Sequence, residues 1–246
     1  MTTLYLDFGN TRLKWRVGDG EIGVLSYECF EQWFPGCVSE QKVQVVVFAS
    51  VLSDSRQSPV VGLMKQFVPE VKQCVVTEQA IGVRCAYQEL CRLGIDRWLA
   101  VLAAWSHSRS ACVVADLGTA ATIDVVDDGG QHLGGYIVSG LHLSLRGLLA
   151  GTDNIRPDSA GFESANLRPG VNTAEAVYHG ALHGLVALIE SSYQNLLKSF
   201  PKAKLILAGG DAALVGSHLS SPHVRVDDLV FEGMQLLEKA ALLIDA

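Results

Sequence analysis

The chain has 246 residues, 49% of them hydrophobic, which suits one large domain or two of ordinary size with ample core. A net charge of −7 with no basic block makes it a poor non-specific binder of nucleic acid or membrane, although a local basic site for an anion remains open. None of the six cysteines forms a Cys-x-x-Cys pair, so zinc-ribbon and thioredoxin readings fail and reduced thiols in a cytosolic protein are the simplest alternative.

In chain order, residues 4–6 are a short apolar strand that ends at Asp7, and residues 13–17 alternate with Arg and Lys as a half-exposed strand does. A third strand is predicted over 22–27. The continuous apolar run 43–48 reads as a strand buried on both faces. Helical spacing follows at Val60, Val61, Met64, Phe67 and Val68, then a short strand at 74–77 and a buried helix over 97–105. The order then restarts. Strands are predicted over 111–115, 122–126 and 132–137, with Asp128-Gly129-Gly130 as hairpin turn chemistry between the last two. Residues 151–170, with Pro157 and Pro169, are the most irregular stretch and read as a loop near a functional face. The longest helix is predicted over 173–199. A strand at 204–208, a helix, a short strand at 224–226 and a terminal helix over 230–244 complete the chain. No apolar run approaches the ~18 residues of a membrane span, and no charged leader precedes an apolar stretch.

A hairpin-rich start followed by alternating helix and strand therefore occurs twice. Asp7-Phe8-Gly9-Asn10-Thr11 matches Asp116-Leu117-Gly118-Thr119-Ala120, nearly half a chain away, so the pattern is a duplication rather than a solenoid. In each copy an Asp leads into a Gly and small or hydroxyl residues. Gly permits close approach of a ligand to the backbone, and adjacent N–H and Thr hydroxyl groups can donate to phosphate. The carboxylate beside a phosphate calls for a cation between them, and Lys14 offers a positive counterweight. Two such loops facing across a cleft would hold a nucleoside triphosphate. The plain alternative for either loop alone is a strand–turn–strand with a solvent-facing Asp. Neither a Gly-x-x-x-x-Gly-Lys-Ser/Thr loop nor a Gly-x-Gly-x-x-Gly fingerprint occurs. Ala208-Gly209-Gly210-Asp211 reads as a plain strand-to-helix turn, or as a place for an adenine or ribose.

Asp96-Arg97 opens an apolar helix. Asp96 is either a helix N-cap or a general base for a hydroxyl nucleophile, with Arg97 binding a carboxylate or stabilising the charge of the group being transferred; the two roles can coexist. His179 and His183 lie four apart on the long helix but lack a third ligand, so a packed or surface pair is expected rather than zinc. Ser139 lacks the frame of a nucleophile elbow.

Taken together, DFGNTRLK, GIDRW, DLGTAATID, GGYIVSGLHLSLRGL and NTAEAVYHG resemble, in family order, the motifs of type III pantothenate kinases in the acetate kinase/hsp70/actin superfamily. The resemblance implies two duplicated ribonuclease-H-like, actin-like ATPase domains (α/β) over about 1–109 and 110–246, with a cleft between them and the terminal helix packing back on the first. It implies phosphorylation of pantothenate by ATP, the first step toward coenzyme A. By motif match Asp96 is the proton acceptor, and Tyr87, Gly94, Ile95, Asp96, Arg97 and Thr173 form the pantothenate site. Asp7, Phe8, Gly9, Asn10, Thr11, Arg12, Leu13, Lys14 and Thr119 contact ATP, and Asp116 holds a monovalent cation, K+ or NH4+, with Mg2+ accompanying the nucleotide. A cytoplasmic homodimer with the substrate site near its interface is implied, with no nucleic-acid or membrane partner. The chain departs from the family at Ser139, where Pro is usual before Gly140, and after Tyr87, where a Pro is common.

Overall fold

The computed structural model describes residues 1–153 and 161–246, with the side chain of Glu163 left aside. Residues 154–160, inside the predicted irregular stretch, lie outside the described residues. The chain divides into two compact units, one of Met1–Ala103 with Leu229–Ala246 and one of Ala104–Asp228.

The first unit begins with β1 (Thr2–Phe8), β2 (Leu13–Val17) and β3 (Gly23–Leu25), followed by α1 (Tyr27–Gln41), β4 (Val43–Ser50), α2 (Asp54–Phe67) and β5 (Glu70–Gln73). A small hairpin of β6 (Gln79–Ala80) and β7 (Val83–Arg84) leads into α3 (Ile95–Ser108). The second unit contains β8 (Cys112–Leu117), β9 (Ala120–Val126), β10 (His132–Ser139), α4 (Leu141–Ala150), α5 (Thr173–Ser199), β11 (Lys204–Ala208), α6 (Ala212–Gly216) and β12 (Val224–Arg225). Finally α7 (Leu229–Lys239) and β13 (Ile244–Asp245) belong to the first unit.

The large sheets have the orders β13-β5-β4-β1-β2-β3 and β10-β9-β8-β11-β12. Apart from β13 these are one topology. β1 and β8 each pair antiparallel with the next strand and parallel with the strand reached by a helical crossover. The duplication read from two short motifs thus extends to both sheets.

Side-chain alternation along β1 divides its two faces. Leu4, Leu6 and Phe8 join the core with Phe30, Phe34, Cys37 and Val38 of α1 and Met64 of α2. Tyr5 faces the other way, and its hydroxyl bonds Glu238 of α7. In the second unit Val113, Ala115 and Leu117 pack with Leu182, Leu185, Val186 and Ile189 of α5.

Several elements differ from the sequence expectation. The strand predicted to reach residue 27 stops at Leu25, and α1 starts at Tyr27. Its apolar positions keep helical spacing, but Pro35-Gly36 in the middle breaks the pattern. The strand expected at 74–77 is β5, Glu70–Gln73, whose Glu, Lys and Gln hide it among polar residues; Cys74 N–H still donates to Phe48 O at 2.8 Å. The terminal helix ends at Lys239, Ala241 takes a left-handed φ of 55°, and Ile244–Asp245 adds to the edge of β5 instead. The 128–130 turn is as expected. Asp127 Oδ1 accepts from Gly129 N at 2.9 Å and Gln131 N at 2.7 Å, a side-chain substitute for a backbone turn bond. All six cysteines are free thiols, and among the described residues no helix is long and apolar enough to cross a membrane.

Candidate active site

The first acidic hairpin is set by its neighbours in sequence. Phe8 lies against Phe30 and Phe48, with ring centroids at 5.6 and 6.0 Å. With Phe8 anchored on that face, the pleat turns Asp7 to the opposite one. Asp7 is 8% exposed and pairs in register with Lys14 on β2, which is exposed. Gly9, Asn10, Thr11 and Arg12 make the turn. Val51 N–H donates to Phe8 O at 3.1 Å, and the Tyr27 hydroxyl donates to Gly9 O.

At the start of α3, Asp96 is not the N-cap that one reading offered. It lies inside the first turn, while Gly94 precedes the helix and its carbonyl accepts from Trp98 N–H at 3.1 Å. The half-buried Asp96 carboxylate folds back to accept from Arg97 N–H at 2.8 Å. A Cβ on Gly94 would stand 2.5 Å from the same Oδ1, so the Gly-x-Asp spacing leaves room for this carboxylate. Arg97 is only 4% exposed; its Nη1 donates to Tyr87 OH at 3.0 Å and its guanidinium carbon lies 5.7 Å from the Tyr87 ring centroid. Ile95 is buried between them in sequence. The structure therefore brings Tyr87, Gly94, Asp96 and Arg97 together in one unit.

The second hairpin is tighter. Gly118 and Thr119 alone connect β8 to β9, and Thr119 is exposed. Gly140 N–H donates to Thr119 O at 3.1 Å, and Asp211 N–H to Leu117 O at 3.0 Å. Asp116 is half-buried and lies in register with Thr122 on one side and Ala208 on the other. Gly209 has a φ of 90°, and a Cβ there would lie 2.6 Å from Asp116 Oδ1 and closer still to the Leu117 carbonyl. Only glycine serves at that contact. The Gly209-Gly210-Asp211 turn is thus packed on the acidic hairpin. Burial raises the carboxyl of Asp211, with His142 opposing the shift.

Thr173 is the first residue of α5 and lines a groove of about 530 Å3 with Ser144, Leu148, Ala176, Val177 and Gly180. Asn172 and Glu175 cap the helix reciprocally. Asn172 Oδ1 accepts from Glu175 N–H at 2.9 Å, and Glu175 accepts from Asn172 Nδ2 and Val171 N–H, both at 3.0 Å. His179 and His183 turn Nδ1 to the carbonyls of Arg168 and Leu167, at 2.8 and 3.2 Å, which makes them packing residues. Among the described residues no group of three or more His, Cys, Asp or Glu is placed to hold a metal.

Two sheets of one topology, each with an acidic hairpin leaving an interior strand, make a duplicated α/β fold. A Campylobacter jejuni protein assigned to the Baf family of transcriptional activators shares the fold, with a TM-score of 0.66 and 21% identity over 97% of this chain and 98% of that one. So does a Listeria monocytogenes protein assigned as an N-acetylmannosamine kinase, with a TM-score of 0.53 and 12% identity over 98% and 100%. The family model for type III pantothenate kinase matches residues 3–195. Type III pantothenate kinases of Chromohalobacter salexigens and Pseudomonas aeruginosa are each 38% identical, over 94% and 95% of this chain and 85% and 97% of theirs. The chain belongs to the type III pantothenate kinase family.

Proposed function

We propose that the chain transfers the γ-phosphoryl group of ATP to the primary hydroxyl of pantothenate, giving 4'-phosphopantothenate for coenzyme A synthesis. Family membership supports the reaction and, with it, the use of ATP and a divalent metal. The metal supplies charge neutralisation on the phosphates. The observation that carries the assignment is the Asp96–Arg97–Tyr87 constellation. An acceptor bearing one hydroxyl and one carboxylate calls for a base and a fixed guanidinium, and here these are consecutive residues at a helix start. Asp96 takes the hydroxyl proton as the oxygen attacks phosphorus and the bond to the β,γ-bridging oxygen breaks. Arg97 and Tyr87 bind the carboxylate end, with Gly94, Ile95 and Thr173 completing the pantothenate site. Asp7, Phe8, Gly9, Asn10, Thr11, Arg12, Leu13 and Lys14, together with Thr119, bind ATP.

Asp116 is assigned a monovalent cation, K+ or NH4+. It is half-buried near the end of the interior strand β8, in register with Thr122 and Ala208. A homodimer is supported by exposed apolar side chains on the edge strand β10 (Leu133, Tyr136, Ile137 and Val138) and on α4 (Leu143 and Leu148). Free thiols throughout support a cytoplasmic location. The test is ADP release with ATP, Mg2+ and K+, with and without pantothenate. Release that depends on pantothenate is expected; folded protein that gives none contradicts the proposal.

A further inference from the structure

The turn between β1 and β2 is held at two successive carbonyls by groups from outside the hairpin. Val51 N–H holds Phe8 O at 3.1 Å, and the Tyr27 hydroxyl holds Gly9 O. A trans peptide is planar, and its carbonyl and its N–H point in opposite directions. Fixing the Phe8 carbonyl therefore aims the Gly9 N–H, and fixing the Gly9 carbonyl aims the Asn10 N–H. The Tyr27 ring is itself located by contacts. It stacks on Phe8 with centroids 6.4 Å apart and planes at 21°, and the Arg56 guanidinium carbon lies 5.1 Å from its centroid. Tyr27 opens α1 and Arg56 lies in the first turn of α2, so two helix starts converge on one turn. Burial lifts the phenol to about 12, with Arg56 opposing and Asp7 adding to the rise. The hydroxyl is thus protonated, and able to donate, at neutral pH.

We infer that Tyr27 is a positioning residue for nucleotide phosphate: its hydroxyl holds the Gly9 carbonyl so that the Asn10 amide is presented to a phosphate oxygen, and Arg56 steadies the Tyr27 ring. The inference rests on the reading of the Gly9–Lys14 stretch as a phosphate loop. It adds to that loop a residue lying 18 positions away.

Tyr27→Phe keeps the ring, its stack on Phe8 and its contact with Arg56, and removes only the donor. Loss of one neutral hydrogen bond predicts a rise of about three- to tenfold in the Kd for MgADP and the KM for ATP. The KM for pantothenate and kcat stay within about twofold, the split expected of a change confined to nucleotide binding. Arg56→Gln, at an exposed position, raises both nucleotide constants by about two- to threefold, and Arg56→Lys restores them. A residue that only packs would lower the Tm and leave nucleotide affinity alone. Unchanged MgADP affinity in Tyr27→Phe and in Arg56→Gln overturns the inference. MgADP calorimetry needs no acceptor, so wild-type protein that binds MgADP but does not phosphorylate pantothenate contradicts the acceptor assignment and leaves this test readable. Wild-type protein that binds no MgADP overturns both.

Discussion

In the first unit Asp7 lies across from Lys14, on a turn whose Gly9 carbonyl is held by a phenol. In the second, Asp116 lies across from Thr122, on a turn whose Thr119 carbonyl is held by the Gly140 amide. The strands around the two are ordered identically. The residue across the strand is cationic in the first hairpin and neutral in the second. The first turn has a side-chain brace, the Tyr27 hydroxyl, beside its main-chain bond from Val51, whereas the bonds holding the second come from the main chain of Gly140 and Asp211. The two copies of the fold thus share the position of the carboxylate and differ in the residue across from it and in the bracing of the turn. The two loops are accordingly expected to fail under different substitutions.

The main-chain lock of the second unit is the harder to perturb and the costlier to break. Gly209→Ala places a methyl against the Leu117 carbonyl and Asp116 at a φ of 90°. Backbone strain and overpacking together are expected to cost about 3 kcal/mol, read by urea denaturation. A loss under about 1 kcal/mol would mean that the turn can open cheaply and that the contrast between the loops is weaker than drawn. In the first unit, Lys14→Met removes the ammonium while keeping much of the stem. A lost charge-assisted contact predicts a KM for ATP higher by about tenfold or more, with the melting temperature little changed because Lys14 is exposed. An unaltered KM would remove Lys14 from the nucleotide site.

The smallest effect is the most discriminating. Thr122→Lys gives Asp116 the cross-strand neighbour that Asp7 already has. The rate should then lose part of its response to K+, by about two- to fivefold, and Asp116→Ala should lose it too but with a lower rate. A variant with Lys at 122 whose potassium response is unchanged would place the cation elsewhere.

How much of this was legible in the sequence depends on the range of each interaction. The two acidic hairpins were readable because strand alternation, a terminal Asp and a Gly are all local. Asp96-Arg97 was readable as a helix start for the same reason, although the fold places Asp96 inside the first turn rather than at the cap. The role of Gly94 as the space for a carboxylate depends on the rotamer of Asp96, which no spacing reveals. Helix α1 was hidden by its internal Pro35-Gly36. Strand β13 is only two residues long and exists through pairing with β5, far away in the chain. Tyr27 gave no signal at all, because its hydroxyl matters only once α1 has docked beside the first hairpin.

The base at Asp96 is the claim on which the chemistry turns. Asp96→Asn preserves shape and removes the proton acceptor. Its pantothenate-dependent ADP release, measured beside wild type with saturating ATP, Mg2+ and K+, is expected to fall by about 100-fold or more, with MgADP affinity and melting temperature retained. Turnover equal to wild type in that variant would contradict the account.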